Sequence, residues 1–363
     1  MTNKNIISAN LTLQDGTVFR GISFGAEKST VGEVVFNTAM SGYPESLTDP
    51  SYMGQIGVMT YPMIGNYGIP GKEKDKWGIE KFWESPKIHM NGIIVSNYSQ
   101  KHSHWNSERS LGDWLKDEGV AGIAGIDTRA LTKHIREYGS MTGVISIGDD
   151  TPPTHSSLDE KNLVALASCK EVLTYGNGPR KVVLLDCGVK NNIIRQIIDP
   201  DFTVIRVPWN YDFTQLGSID GVLISNGPGN PEMCGEAVVN IKKAIKAEIP
   251  IFGICMGNQL LALAAGAKIY KLKYGHRGHN QPVRMFQKQR CFITSQNHSF
   301  AVDQTTLPKD WEPSFINLND GTNEGIRHKT LPFLSVQFHP EACGGPLDTL
   351  FLFDQFKQLI KSR

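Results

Sequence analysis

The pattern of apolar and polar positions changes near residue 180. Before it, short β-like runs alternate with turns and brief amphipathic stretches. Leu11, Leu13, Val18 and Phe19 flank an Asp15-Gly16 turn, which is a hairpin signal. Residues 31–36, 57–62 and 91–97 are further strand candidates. Residues 110–119 predict a short helix, with Ser110 at its start, Leu111, Trp114 and Leu115 on one face, and Gly119 at its stop. Residues 127–139 predict another, with Asp127 as N-cap and Leu131, Ile135 and Tyr138 at helical spacing. Residues 1–150 therefore read as a smaller α+β domain. Residues 151–180 are a polar, turn-rich connection with room for a short helix at 161–169.

From 181 to 363 apolar strands alternate with helical stretches: KVVLLDCG, NNIIRQIID, TVIRVPW, DGVLISNGPG, AVVNIKKAIKAE, IPIFGIC, MGNQLLALAAG. Strands with no polar face are buried on both sides. This order implies an α/β domain with a mostly parallel sheet covered by helices. Such sheets bind ligands at the carboxyl ends of their strands. That directs attention to Gly227, Gly229 and Cys255.

Composition narrows the class. A length of 363 residues suggests two domains. The 37 Lys+Arg nearly balance 36 Asp+Glu, so no large field of one sign favours nucleic acid or an anionic membrane. No apolar run approaches the ~20 residues of a membrane helix. The N-terminus lacks the apolar core of a signal peptide. The six cysteines are dispersed without a CxxC pair, which argues against a disulfide scaffold or a closed zinc site. The expectation is a soluble, reduced, cytoplasmic protein.

Cys255 lies in Gly253-Ile254-Cys255-Met256-Gly257, after a buried strand and before a helix. This is the cysteine form of the G-x-S-x-G nucleophile elbow. Small neighbours two residues away allow close packing around a sharp turn. The following helix aims its N-terminal partial charge at the sulfur. On this pattern alone, a buried cysteine serving as a small core hydrophobe remains an equal alternative.

A thiol nucleophile needs a histidine partner, usually distant in sequence. His339, in SVQFHPEA, stands at the end of an apolar strand that Pro340 stops. Glu341 is placed to hold its tautomer, as the third member of a triad does. His276 and His279, in YGHRGHNQP, mimic a metal pair but lack further ligands at suitable spacing. His102 and His104 lie in a polar loop, and His298 has no obvious orienter. The SNGPGNP loop lacks the Gly-Lys-Ser/Thr of a P-loop and the spacing of a dinucleotide fold. It reads better as backbone N–H groups facing the carbonyl that Cys255 attacks.

SNGPGNP, GICMGNQLLALAAGAK and QFHPEA together resemble the class I, triad-type glutamine amidotransferases, and occur in that family's order. In the first half, residues 31–56 (VGEVVFNTAMSGYPESLTDPSYMGQI), MTYPMIGNYG and GIDTRALTKHIREYG resemble the N-terminal domain of carbamoyl-phosphate synthetase small subunits. YGHRGHNQP and VQFHPE look like the amidotransferase region of the eukaryotic multifunctional pyrimidine enzyme. The resemblance implies hydrolysis of L-glutamine by Cys255, His339 and Glu341 through a γ-glutamyl thioester. It implies oxyanion stabilisation at the Gly229 and Met256 N–H groups. It further implies glutamine contacts at Ser51, Gly227, Gly229, Met256, Gln259, Asn297, Ser299 and Phe300. Asn258 stands where the family usually has histidine, and Ser299 where it has glycine. No cofactor and no metal are implied on this chain. ATP, Mg²⁺ and bicarbonate belong to a large synthetase subunit or fused synthetase region, whose pathway is pyrimidine or arginine synthesis. A stand-alone cysteine γ-glutamyl hydrolase, or a non-catalytic interaction module of the same fold, are the alternatives.

Overall fold

The computed structural model describes residues 6–154 and 161–363. They fall into two compact units. The first runs to Asp75 and resumes at Glu80; the second takes Lys76–Ile79 and the chain from 161 onward.

The first unit contains β1 (Ser8–Leu13), β2 (Val18–Ser23), β3 (Thr30–Asn37), α1 (Tyr43–Thr48), β4 (Gln55–Met59), β5 (Gly92–Val95), α2 (Leu111–Asp117), β6 (Ala121–Ala124), α3 (Thr128–Tyr138) and β7 (Met141–Ile147). Its strands close into a barrel in the order β1-β2-β6-β5-β4-β3-β7, which leaves no sheet edge unpaired. The Asp15-Gly16 turn makes β1 and β2 antiparallel neighbours with Leu11 opposite Phe19. Gly16 takes a φ of 86° there, a conformation open to glycine. Both predicted helix starts are capped. Ser110 Oγ accepts the Asp113 N–H at 3.1 Å, and Asp127 Oδ1 accepts the Ala130 N–H at 2.8 Å. Tyr138 is exposed, so the buried stripe of α3 is Thr128, Leu131 and Ile135.

The second unit contains α4 (Leu163–Ala167), β8 (Leu173–Tyr175), β9 (Arg180–Asp186), α5 (Asn191–Ile197), β10 (Phe202–Pro208), β11 (Gly221–Ile224), α6 (Gly235–Lys246), β12 (Ile251–Ile254), α7 (Met256–Ala265), β13 (Lys268–Met285), β14 (Cys291–Asp303), β15 (Trp311–Asn317), β16 (Asn323–His328), β17 (Phe333–Val336) and α8 (Phe351–Lys361). One ten-stranded sheet has the order β14-β13-β15-β16-β17-β12-β11-β9-β10-β8. Its parallel part is the centre, β10-β9-β11-β12-β17. The flanking strands pair antiparallel.

Alternate residues of the central strands feed two apolar layers, because successive side chains point to opposite faces. Val182, Leu184 and Phe252 pack with Ile193 and Ile197 of α5 and Phe353 and Phe356 of α8. Val183, Val222 and Ile251 pack with Ala237 and Ile241 of α6 and Leu260 and Leu261 of α7. The fold is therefore α/β, as its apolar strand runs predict.

Of the expected connection at 151–180, residues 155–160 lie outside the described residues, as do residues 1–5. From 161 the chain is folded into the second unit, not a linker. Asn162 Oδ1 caps α4 by accepting the Ala165 N–H at 2.9 Å, Val164 is buried beside α6, and β8 pairs with β10. The apolar Leu163 and Val164 give this segment a surface worth burying.

Candidate active site

β12 passes into α7 through Cys255, whose φ is 55°. A non-glycine residue rarely adopts this conformation and keeps it only under surrounding constraint. The constraint is visible. A Cβ at Gly253 would lie 2.5 Å from the Gly257 carbonyl oxygen, and one at Gly257 would lie 2.2 Å from the Ile224 oxygen. Both positions must lack a side chain for α7 to start against β11. The Cys255 N–H donates to the Val336 carbonyl at 2.8 Å, tying the elbow to β17. The thiol is buried and donates to the Asn297 carbonyl at 3.6 Å.

β17 ends at Val336, which leaves His339 just beyond the strand's carboxyl end. Its N–H donates to the Ser295 carbonyl at 2.8 Å, which fixes it by a single bridge to β14. Its Nδ1 lies 2.7 Å from Glu341 Oε1. Its buried Nε2 makes no hydrogen bond among the described residues. Burial pushes this imidazole towards neutrality. Glu341 and the nearby Cys255 sulfur outweigh that and hold its pKa up at about 10. Burial also opposes ionisation of Glu341, but Lys190 and His339 hold that carboxyl down at about 2.

Sequence reasoning missed Lys190. Its Nζ lies 2.9 Å from Glu341 Oε1, with both groups buried. A lysine just before α5 gives no motif signal; only folding brings it to Glu341. The turn leading to it is fixed by Asp186, whose Oδ1 accepts the Gly188 and Val189 N–H groups at 2.9 and 2.8 Å. Asp186 is itself paired with Arg206 at 2.6 Å.

The other expected positions divide between the two units. Gly227 follows β11, and a Cβ there would lie 2.1 Å from the Cys187 carbonyl oxygen. Gly229 has φ 83°. Met256 opens α7, where backbone N–H groups have no intrahelical acceptor. Gln259 Nε2 donates to the Phe300 carbonyl at 2.9 Å, joining α7 to the stretch of β14 that carries Asn297, Ser299 and Phe300. Ser51 lies in the first unit, buried, its N–H on Asp49 Oδ1 at 2.9 Å.

Both departures from the family pattern have a local account. Asn258 is fully buried, donates to Gln337 Oε1 at 3.0 Å and accepts from Ser335 Oγ at 2.8 Å. It ties α7 to β17. Ser299 is not among the residues with positive φ, so a glycine is not required there; its hydroxyl accepts from Arg277.

His276 does not pair with His279. It stands with His298 and Glu324, whose ligand-type atoms lie within 4.8 Å of one another and are buried. Hydrogen bonds already engage both His276 nitrogens, on Gln296 and Asp320. His279 is pushed down to about 4 by burial and by Lys190. No helix among the described residues is long and apolar enough to cross a membrane. None of the six cysteines forms a disulfide.

Two family models divide the chain as its two units do. "Carbamoyl-phosphate synthase small chain, CPSase domain" matches residues 11–145, and "Glutamine amidotransferase class-I" matches 183–359. The arginine-specific small chain of carbamoyl phosphate synthase from Saccharomyces cerevisiae is 50% identical over 96% of this chain and 87% of its own length. The chain belongs to the carbamoyl-phosphate synthase small chains. The corresponding small chain from Neurospora crassa is 49% identical over 97% of this chain and 80% of its own. Multifunctional protein CAD from Squalus acanthias is 51% identical over 97% of this chain but only 16% of that protein. A small chain thus has relatives both as separate chains and within a much longer polypeptide. Its barrel unit carries the synthase-specific match, and its sheet unit carries Cys255, His339 and Glu341.

Proposed function

We propose that this small chain hydrolyses L-glutamine to glutamate and ammonia, and passes the ammonia to the large subunit, or fused synthetase region, of carbamoyl-phosphate synthase. The observation that carries the reading is a thiol on a strained strand-to-helix turn, beside a histidine with Nδ1 on Glu341 and Nε2 left open.

Cys255 attacks the side-chain carbonyl carbon of glutamine as a thiolate, its proton held on His339, which despite burial Glu341 and the sulfur keep charged. The developing oxyanion meets the N–H groups of Gly229 and Met256. As the tetrahedral centre collapses, the C–N bond breaks and His339 protonates the departing ammonia. A γ-glutamyl thioester remains on Cys255. His339 then takes a proton from water, which attacks the thioester; glutamate leaves, and the Cys255 thiolate and protonated His339 are restored. Glu341 keeps the imidazole oriented and balances its positive charge, while Lys190 keeps Glu341 ionised. Gln259, Asn297, Ser299 and Phe300 hold the amino-acid end of glutamine, and the Gly227 backbone contacts the substrate. This chemistry uses side chains and backbone alone. ATP, Mg²⁺ and bicarbonate act on the synthetase partner. Cysteines that form no disulfide fit a reducing compartment, and we place the chain in the cytoplasm.

Cys255→Ser is the test. Glutamine hydrolysis should fall by at least about a thousandfold, the order lost when a nucleophile is removed. Ammonia-dependent carbamoyl-phosphate synthesis by the assembled enzyme should continue. Retained glutamine-dependent synthesis would remove Cys255 from the mechanism.

A further inference from the structure

We infer that His276 is a positioning residue for glutamine, acting through Gln296 on the stretch of β14 that carries Asn297, Ser299 and Phe300. The inference rests on the glutamine-hydrolysing reading above and extends it to a cluster that reading leaves unused.

The β13–β14 ladder needs help at this point. His276 pairs with His298, Arg277 with Asn297 and Gly278 with Gln296, but the register shifts on both sides of these three pairs. Irregular pairing weakens the ladder and frees its residues to be aimed elsewhere. Side chains supply the missing restraint. His276 Nε2 lies 2.8 Å from Asp320 Oδ2, and its Nδ1 lies 3.0 Å from Gln296 Oε1. Gln296 Oε1 is also 3.2 Å from His298 Nε2. His298 Nδ1 is 2.9 Å from the Phe300 carbonyl. That carbonyl also accepts Gln259 Nε2. The path from Asp320 therefore runs through His276 to Gln296, the neighbour of Asn297 on β14, while His298 Nδ1–H and Gln259 Nε2 both donate to the Phe300 carbonyl. Within the span it braces, the Asn297 carbonyl accepts the Cys255 thiol.

The groups facing His276 come from three neighbouring elements and a turn: Gln296 and His298 on β14, Asn317 on β15, Asp320 in the following turn and Glu324 on β16. Glu324 Oε1 is 3.4 Å from Nδ1 and accepts Asn317 Nδ2 at 3.0 Å. Gln296 Nε2 donates to Thr294 Oγ1, which leaves its carbonyl oxygen to accept from His276. Two oxygen acceptors therefore take both His276 N–H groups, which makes it an imidazolium. Burial opposes that charge, and the two carboxylates override it, holding the pKa at about 9. With both nitrogens engaged, His276 is a strut and cannot be a proton carrier.

The test is steady-state glutamine hydrolysis by the full-length chain, unaltered and as His276→Asn and Asp320→Asn. KM for glutamine should rise about tenfold or more, the size of a lost hydrogen bond to a charged group. Maximal turnover should stay within about threefold, because the reacting atoms are untouched. Alkylation of Cys255 by iodoacetamide should keep its rate. In the unaltered chain KM should climb as pH passes upward through about 9, and this climb should be smaller in His276→Asn. If His276→Asn does not fold, Asp320→Asn decides. An unchanged KM in the folded variant, or a loss of turnover at constant KM, overturns the assignment. An unaltered chain that never hydrolyses glutamine defeats the proposed function itself, so the two failures are distinct.

Discussion

Two buried histidines of the second unit make a natural pair. His339 and His276 each lie against a carboxylate, at 2.7 and 2.8 Å, and each is held well above the ordinary imidazole pKa despite burial. They differ in the second nitrogen. His339 Nε2 is open beside a thiol, whereas His276 Nδ1 is taken by Gln296. A carboxylate makes a buried histidine basic; an open nitrogen makes it useful for proton transfer. The partner count therefore separates an acid–base group from a strut when pKa alone does not.

Breaking His339 should have the largest effect. His339→Asn should lower maximal glutamine turnover by about 10²–10⁴-fold, the usual weight of acid–base catalysis, with little change in KM. A variant whose only change is a raised KM would erase the distinction from His276. Glu341→Gln should cost no more than that, up to about 10⁴-fold in turnover, because the imidazole stays but loses its fixed tautomer and counter-charge.

The carboxylate also leaves a signature in stability. Glu341 titrates lower in the fold than in the unfolded chain, so its contribution is present above about pH 4.5 and is lost as pH falls through about 2. The gap in melting temperature between the unaltered chain and Glu341→Gln should close over that window. His276 gives the opposite sign. Its raised pKa contributes stability that is complete below about pH 6.5 and is lost as pH rises through about 9. The melting gap to His276→Asn, a few degrees near neutrality, should close on the alkaline side. A gap constant with pH would mean that His276 is not charged in the fold.

The smallest effect is expected at Ser299. Its backbone does not need glycine, and its hydroxyl accepts from Arg277. Ser299→Gly should move KM for glutamine by less than about threefold. A large improvement would show that serine strains the substrate loop.

The elbow and the His339–Glu341 pair were legible in the sequence for local reasons. Gly253, Cys255 and Gly257 occupy one turn, and His339 and Glu341 are two residues apart, so short-range geometry places them. The parallel centre of the sheet was legible because strands buried on both faces need unbroken apolar runs. What was hidden depends on distant pairing. Lys190 meets Glu341 across 151 residues, and His276 meets Asp320 across 44. The seven-stranded closure of the first unit also follows from which strands meet, which alternation along one strand does not encode. The same holds for the long β13–β14 pair, whose polar residues look like a loop until their partners are known.

The most direct measurement is mass spectrometry of the chain quenched in acid during turnover with glutamine, where a thioester survives. A γ-glutamyl group should appear on the peptide containing Cys255. It should build up further in His339→Asn if removal of the base slows thioester hydrolysis more than thioester formation, and it should be absent in Cys255→Ser. Sustained hydrolysis with no adduct on Cys255, or with the adduct on another residue, would contradict the account.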